Sequence, residues 1–421
     1  MLKQRVPTAP PMTAVPIRTV LAGTVSCLAA LGLVLGLRLP VPAAMALLML
    51  ATAVPMWWLE ARRCAANGAV GPVVRVSRRR SLWIRRLRVI GGALVFCLLA
   101  ASMRMQLALG GAQVGGLPEL EMVINGACVL WLLAWARWPV RSRQPDSVAA
   151  LGRLALKCVR RHRPAAAEWQ GLLGWCVKVF FLPLMLAWLY SWLLQIDKEL
   201  QQGQGAMAFF VGAMAALYAL DTLFGTIGYL STHRGIDAQI RSTDATWLGW
   251  GAALVCYPPL NAVVLHQWLS YRDGKDWSAW FGDSWIAWPW AAAILILTGI
   301  YTSATLVFGP RFSNLTHRGI VTAGPFRWTK HPAYISKNLS WWLIAVPFLS
   351  EQGPLAAAAN CAGLLGVNCI YWLRAKTEER HLMRDPVYRE YAAWIEQHGW
   401  FAKVRRFLAR WRPGRRAVGG A

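Results

Sequence analysis

The chain has 421 residues, of which 56% are hydrophobic and only 15% charged, and its formal net charge is +26. A soluble basic protein that binds nucleic acid does not carry so large an apolar fraction. The nine cysteines are scattered singly, without a CxxC pair or a Cys/His cluster, so neither a metal site nor a disulfide framework is predicted. Apolar runs of about 20 residues recur, each long enough to cross a bilayer roughly 30 Å thick. These features predict an all-α, polytopic membrane protein.

Ten apolar segments are predicted to cross the membrane as helices. The first follows several basic residues, as a signal peptide does, but its apolar stretch is too long and a second span follows at once. It is therefore interpreted as a retained helix. The predicted spans are residues 17–37, 41–60, 89–103, 120–138, 175–196, 206–230, 247–269, 285–309, 333–350 and 355–373.

Basic loops set the predicted orientation of these spans. Loops 61–88 and 139–164 are rich in arginine, whereas the connections around Asp197 and Asp273 are acidic or neutral. Positively charged loops stay in the cytoplasm, so ten spans place both termini there. The membrane is predicted to be the inner membrane of a bacterium, with the arginines facing its anionic lipids. No loop carries a nucleic-acid-binding motif, so nucleic acid is not an expected partner, and the sequence leaves the oligomeric state open.

Two backbone breaks follow the eighth span. Gly324-Pro325 and His331-Pro332 interrupt the chain where it approaches the membrane again. Irregular backbone at membrane depth survives only where protein or a cavity satisfies its polar groups. The breaks therefore favour a cavity-lining loop.

Charged residues continue directly from the last predicted span. Arg374 and Glu378 lie one helical turn apart, and Glu379 adjoins them. On spacing alone, such charges are more typical of a solvated ion-pair face than of a binding site.

The order of these motifs carries a family resemblance. The chain reads Gly324-Pro-Phe-Arg-Trp-Thr-Lys330-His331-Pro332-Ala-Tyr334, then a two-helix hairpin, then Glu378-Glu379-Arg-His-Leu382 and Tyr388-x-x-Tyr391. This set resembles the isoprenylcysteine carboxyl methyltransferase family, which with the phospholipid methyltransferases comprises integral membrane enzymes that use S-adenosylmethionine. The resemblance covers about residues 310–395. It implies a cofactor pocket at the cytoplasmic face, which a lipophilic acceptor enters from the bilayer.

The sequence departs from the family pattern at three points. Lys330 stands where the family usually has arginine, and Ser336 where it often has glycine. The proline expected after Tyr391 is missing. These departures bear on the acceptor more than on the cofactor.

The resemblance implies roles that suit the chemistry of these side chains. Carboxylates suit the ammonium or ribose hydroxyls of S-adenosylmethionine, whereas His331, with Lys330 or Arg327, suits its carboxylate. Tyr334 offers an aromatic wall and a hydroxyl. The expected cofactor-binding residues are Gly324, Lys330, His331, Pro332, Tyr334, Glu378 and Glu379.

Arg374 and Tyr334 are the expected catalytic residues. A fixed guanidinium can hold an anionic acceptor in two hydrogen bonds, so Arg374 is the candidate for orienting it. The alternative for Arg374 is an ion pair with Glu378, one turn away. Methyl transfer needs no nucleophilic triad, because the acceptor atom is itself the nucleophile.

Two further residues complete the candidate set as contacts of the acceptor substrate. Asp221 lies deep in the sixth span, without a lysine or arginine within one turn, and an ionisable residue at that depth indicates function. The alternative is that it caps a polar contact between helices. Tyr391 comes from the last motif. In the seventh span, Tyr257-Pro258-Pro259 predicts a mid-membrane break that lines a cavity.

The chain divides into three predicted regions. Residues 1–205 form an N-terminal transmembrane bundle without assigned chemistry, residues 206–397 a catalytic region with its core motifs at 308–391, and residues 398–421 a basic cytoplasmic tail. Thr232-His-Arg-Gly-Ile236 recurs as Thr316-His-Arg-Gly-Ile320, which is weak evidence of an internal duplication.

Three functions remain open from the sequence. The first is a membrane methyltransferase acting on a lipophilic acceptor. The second is an NAD(P)H-dependent membrane reductase of the related sterol reductase type, although its cofactor phosphates favour clustered Arg and Lys over a Glu-Glu pair. The third is a non-enzymatic lipid-binding or transport protein, which the long N-terminal bundle and Asp221 would suit.

Overall fold

Helices make up most of the computed structural model, which describes residues 9–68, 76–109, 146–271, 274–282 and 284–410 and single positions between 126 and 137. Helices with described ends are α1 (Ile17–Leu37), α2 (Val41–Ala66), α3 (Arg78–Leu109), α4 (Ser147–Val159), α5 (Ala166–Gln202), α6 (Gly205–Leu230), α7 (Trp247–Leu254), α8 (Trp277–Phe281), α9 (Ala287–Leu306), α10 (Pro332–Ala345), α11 (Pro354–Leu382), α12 (Pro386–His398) and α13 (Trp400–Arg410). Two short strands, β1 (Ser242–Thr243) and β2 (Thr316–His317), pair antiparallel, with Ser242 opposite His317.

Seven helices of the described chain are long and apolar enough to span a membrane: α1, α2, α3, α5, α6, α9 and α11. They correspond to seven of the ten predicted spans, so the all-α, multi-pass membrane prediction is confirmed. The count of ten spans and the orientation of the termini are not confirmed. The predicted span at 120–138 lies outside the described residues.

Two predicted spans are not continuous helices. In 247–269, α7 ends at Leu254, the chain passes Tyr257-Pro258-Pro259, and a π-helical turn follows at Ala262–Trp268. Proline has no N–H to donate, so the helix cannot continue through this sequence. In 333–350, α10 is 14 residues or roughly 21 Å long, too short for a bilayer core.

Apolar side chains from both halves of the chain form the main core. Met56 of α2, Leu189 of α5 and Phe224 of α6 are fully buried there. A different contact joins α3 to α4, where a Cβ at Gly91 would overlap the carbonyl oxygen of Val148. The absence of a side chain at Gly91 therefore permits the two backbones to touch.

The residues that precede α1 reach the far end of the chain. Ala14 donates its backbone N–H to the carbonyl of Ile320 at 2.8 Å, and the Thr322 hydroxyl donates to the carbonyl of Pro11 at 2.8 Å. We call residues 11–14 the N-terminal strap. It fixes the loop between α9 and α10, which contains the first motif.

A buried ion pair makes a second connection between the two halves. Glu60 of α2 is fully buried and accepts hydrogen bonds from Thr19 at 2.8 Å and Arg63 at 2.6 Å. Arg311, in the turn after α9, lies 3.6 Å from the same carboxylate and 3.0 Å from Asp237. The N-terminal helices thus anchor both sides of the loop region.

The two copies of Thr-His-Arg-Gly-Ile adopt different structures. The first forms a short 3₁₀ turn at Arg234–Ile236, with Arg234 exposed. The second forms β2, and its Arg318 is only 2% exposed. The equivalent arginines therefore serve different purposes, and the duplication stays a prediction.

The predicted basic tail contains a helix in its described part. α13 exposes Trp400, Phe401 and Phe407 alongside Lys403 and Arg405. The predicted tail from residue 411 onward lies outside the described residues.

Candidate active site

One buried arginine supports the irregular loop between α9 and α10. Arg318 donates five hydrogen bonds of 2.6–2.9 Å to the carbonyls of Gly228, Ala238, Pro310 and Phe312. Burial lowers the pKa of Arg318 to about 9, so the guanidinium still carries its charge at neutral pH. It satisfies the loop oxygens of Ala238, Pro310 and Phe312 and ties them to the last turn of α6 at Gly228.

The loop ends in the His-Pro motif, which contacts the Glu-Glu motif of α11 directly. The Nε2 atom of His331 lies 2.8 Å from Oε1 of Glu379, and the ammonium of Lys330 lies 3.2 Å from the same oxygen. Lys376 approaches the other oxygen at 3.2 Å. Glu379 is therefore surrounded by basic groups of this chain, and it holds the start of α10 against α11.

Glu378 has a different environment from its neighbour. The hydroxyl of Tyr334 donates to Oε2 of Glu378 at 2.8 Å, and the Tyr334 ring stacks on His331 with 5.6 Å between centroids. Glu378 contacts no basic side chain within ion-pair distance among the described residues. Its carboxylate thus retains capacity for a cationic or hydroxyl-bearing ligand.

Arg374 is fixed by neutral partners. Its Nη2 atom donates to Oδ1 of Asn314 at 2.7 Å and to the hydroxyl of Tyr257 at 3.2 Å. The guanidinium also lies 5.3 Å from the ring centroids of Tyr257 and Tyr334. Arg374 and Glu378, both described, form no ion pair, and the Nη2 atom of Arg374 bonds to Asn314 instead. A guanidinium has five N–H donors, so donors remain for a ligand.

A single cavity connects these groups. It extends along α11 from Tyr371 to His381, ten residues or roughly 15 Å. Six of the predicted site residues line it: Lys330, His331, Pro332, Tyr334, Arg374 and Glu378. The rest of the wall includes polar and aromatic residues that were not predicted for the site, among them Asp244, Tyr257, Tyr301, Asn314, Lys337, Tyr371 and His381.

Four predicted residues do not line this cavity. Glu379 forms the contacts described above. Gly324 begins a 3₁₀ turn with φ +58, and a Cβ there would lie 2.8 Å from Val307. Tyr391 donates its hydroxyl to the carbonyl of Phe326 at 2.7 Å, which braces the same loop. Asp221 accepts a hydrogen bond of 2.7 Å from Tyr301, and Tyr301 in turn faces the cavity.

Some of the cavity-lining residues that were not predicted lie in motifs that the sequence shows, whereas others do not. Tyr257 belongs to the predicted break in the seventh span, and Asn314 and His381 fall inside the motif region. Lys337 lies one turn after Ala333, and its ammonium lies 5.2 Å from the Tyr301 ring centroid. Asp244 carries no sequence signal, because the pairing of β1 with β2 is what brings it to the site.

Part of the chain matches a known protein family. Residues 285–384 match the model of the isoprenylcysteine carboxyl methyltransferase family. No curated protein and no solved structure gives a match to the chain. The matched segment contains α9, the irregular loop, α10 and α11, and with them every predicted motif residue from Gly324 to Glu379. The chain is therefore a multi-pass membrane protein whose residues 285–384 carry the pattern of the isoprenylcysteine carboxyl methyltransferase family.

Proposed function

We propose that the protein is an integral membrane methyltransferase that uses S-adenosylmethionine and acts on a lipophilic acceptor. The observation that carries the proposal is the convergence of two motifs more than 40 residues apart. Tyr334 meets Glu378 and His331 meets Glu379, each at 2.8 Å, and Arg374 lies beside them on the same cavity.

The side chains on the cavity wall suit the groups of this cofactor. Glu378, with a carboxylate not neutralised by a basic side chain, suits the ammonium. The aromatic faces of Tyr257 and Tyr334 suit a sulfonium or an adenine ring. Lys330 and His331 line the cavity and suit the cofactor carboxylate, although both also contact Glu379. When bound, the cofactor supplies an electrophilic methyl group on sulfur.

The chain's own residues contribute position and exclusion of water. Arg374 is held by Asn314 and Tyr257, so its orientation is set before a ligand arrives. A preorganised guanidinium can align an acceptor anion for in-line attack, which lowers the entropic part of the barrier. Residues from candidate spans α9 and α11 contribute to the cavity wall, and this favours an acceptor that partitions into the bilayer.

The reductase alternative receives less support from the same wall. A dinucleotide with a 2′-phosphate would place several negative charges in the cavity. Glu378 and Asp244 both face it, and Lys330 is already paired with Glu379. Because Lys337 and Arg374 also line the cavity, the wall combines carboxylates with cationic groups, which suits a zwitterionic ligand better than a polyanion.

Thermal stabilisation of the detergent-purified protein tests the proposal. A ligand at 100 times its dissociation constant stabilises the folded state by about 2.7 kcal/mol. We expect S-adenosylhomocysteine to raise the melting temperature and NADPH to leave it unchanged. His331→Ala and Glu378→Ala should abolish the rise, whereas Glu390→Ala, an exposed carboxylate on α12, should retain it. Stabilisation by NADPH alone, or by neither ligand, would contradict the proposal.

A further inference from the structure

Asp244 is a rigid, buried carboxylate on the cavity wall, outside the residues that match the family. It is 4% exposed. Its Oδ1 atom accepts hydrogen bonds from the backbone N–H of Thr246 at 2.9 Å and from the Thr246 hydroxyl at 2.8 Å. Its own backbone N–H donates to Leu315 at 2.8 Å, and its carbonyl accepts from the indole of Trp250 at 2.7 Å. Both the backbone and one carboxylate oxygen are thus fixed.

The other oxygen of Asp244 is left without a protein partner among the described residues. Oδ2 packs against Gly249 in the first turn of α7, where a Cβ would overlap it. The glycine therefore makes room for the carboxylate, and the helix N-terminus favours its negative charge. A buried carboxylate that keeps one oxygen at a cavity can accept hydrogen bonds from a ligand.

His381 provides an independent, unpartnered polar atom at the same end of the cavity. It is 7% exposed, and its Nε2 atom lies 3.2 Å from the hydroxyl of Ser242. Its Nδ1 atom is buried and has no hydrogen-bond partner in the described part of the chain. Ser242 belongs to β1 and Asp244 follows directly after that strand, so one short segment holds His381 through Ser242 and carries Asp244 to the cavity wall. A buried ring nitrogen without a partner, in a residue that lines the same cavity as Asp244, indicates a polar ligand.

The three carboxylates of the site differ in how far basic side chains neutralise their charge. Glu379 is surrounded by Lys330, His331 and Lys376, so it has little capacity for a ligand. Glu378 accepts a hydrogen bond from the hydroxyl of Tyr334, and a cation bound there would be close to both the carboxylate and the Tyr334 ring. The carboxylate of Asp244 forms no ion pair with a lysine or arginine among the described residues and has only His381 as a basic neighbour, so it suits neutral hydroxyl donors.

We propose that Asp244 and His381 bind the ribose hydroxyls of the cofactor, while Glu378 binds its ammonium. This inference rests on the proposed function, because it assigns the two halves of S-adenosylmethionine to two ends of one cavity. It also assigns a ligand-binding role to the chain before α9, which the family match does not include.

Two ligands test the roles of Asp244 and Glu378 separately. S-adenosylhomocysteine contains both the nucleoside and the amino-acid head, whereas 5′-methylthioadenosine contains only the nucleoside. Affinities of the full-length protein in detergent would be measured by calorimetry for Asp244→Asn, Glu378→Gln and the control Glu390→Gln. We expect Asp244→Asn to weaken both ligands by about tenfold or more, and Glu378→Gln to weaken only S-adenosylhomocysteine. The control should match the unmodified protein.

A ligand change makes the test independent of the folding of any variant. Binding of 2′-deoxy-5′-methylthioadenosine to the unmodified protein should be about tenfold weaker than that of its ribose parent. Asp244→Asn should bind the two equally, because the interaction is already lost. Equal binding of both nucleosides to the unmodified protein would overturn the inference, as would unchanged affinities in Asp244→Asn. Binding of neither S-adenosylhomocysteine nor 5′-methylthioadenosine to the unmodified protein would instead refute the proposed function.

Discussion

The two halves of the molecule are held together by different kinds of contact. In the N-terminal region, helices α1 to α5, long apolar helices satisfy their own backbones and pack through apolar side chains and close glycines such as Gly91. In the C-terminal region, helices α6 to α12, the long helices α6, α9 and α11 alternate with short elements such as α7, α8 and α10. Arg318 and Arg374 are buried there among carbonyl, amide and hydroxyl oxygens.

The difference shows what an irregular site requires. A loop that leaves helical geometry exposes carbonyls that must be satisfied from elsewhere. Arginine suits this task because its planar fork reaches several oxygens at once. The C-terminal region therefore concentrates buried charge where the cavity is built, and the N-terminal region supplies the scaffold through Glu60 and the N-terminal strap.

The largest expected effect comes from removing the central arginine of the loop. Arg318→Met leaves the carbonyls of Ala238, Pro310 and Phe312 without a donor and removes one donor from that of Gly228, which should cost on the order of 4 kcal/mol or more. Folded yield and melting temperature in detergent measure this loss. Arg234→Met, at the matching position of the exposed repeat copy, should change neither. Equal losses for both variants would refute the contrast between the two copies.

The second-largest loss of stability is expected from breaking the ion pair that joins the two regions. Glu60→Gln removes the charge that Arg311 faces at 3.6 Å and leaves that buried guanidinium with only Asp237 as an acidic partner. Breaking a buried ion pair costs about 3 kcal/mol. Glu351→Gln, which breaks the exposed pair with Lys275, should leave the melting temperature nearly unchanged. A stable Glu60→Gln variant would show that the N-terminal region does not support the loop through this pair.

A smaller effect is expected within the N-terminal region itself. Gly91→Ala would place a methyl group on the carbonyl of Val148, and the resulting separation of α3 from α4 should cost about 1–3 kcal/mol. Gly32→Ala, in α1 with open space around it, should be neutral or stabilising by up to about 1 kcal/mol. Melting temperatures compare the two. If both behave alike, backbone contact is not what joins α3 to α4.

The smallest effect concerns the brace on the motif loop. Tyr391→Phe removes the hydrogen bond to the Phe326 carbonyl, at a cost of about 1 kcal/mol. Burial raises the pKa of Tyr391, so its hydroxyl stays protonated and the cost should be the same between about pH 6 and 9. Tyr388→Phe is the control, since the Tyr388 hydroxyl has no hydrogen-bond partner within the described ranges. A cost that varied with pH would point to a different partner for Tyr391.

Much of the fold could be predicted because hydrophobicity is a local property. Helices such as α1 and α6 begin and end within a few residues of their predicted bounds. The third span illustrates the limit, since α3 extends to Arg78 through a basic segment that hydropathy excludes. The short α10 could not be distinguished from a span, because its apolar run continues into a turn at Val346.

The site was predictable where the motif itself defines the contact. His331, Tyr334 and Glu378 lie on the cavity as the resemblance implied. The partners of Arg374 could not be predicted, because Asn314 lies 60 residues away and meets it only through tertiary packing. Asp244 was missed for the same reason. Sequence spacing suggested that Arg374 and Glu378 pair, but the site favours an amide partner that keeps both charges available.

The N-terminal strap also constrains how the protein can be made. The hydrogen bond between Pro11 and Thr322 joins residues 311 positions apart. During synthesis, the strap leaves the ribosome long before its partner loop exists, so the motif loop acquires this support only after α9 has been inserted. A fragment limited to residues 285–384 would lack the strap and Tyr257, and would have to fold without these two supports of the loop and of Arg374. Biogenesis of the folded protein should therefore depend on late, long-range assembly rather than on insertion of each span in turn.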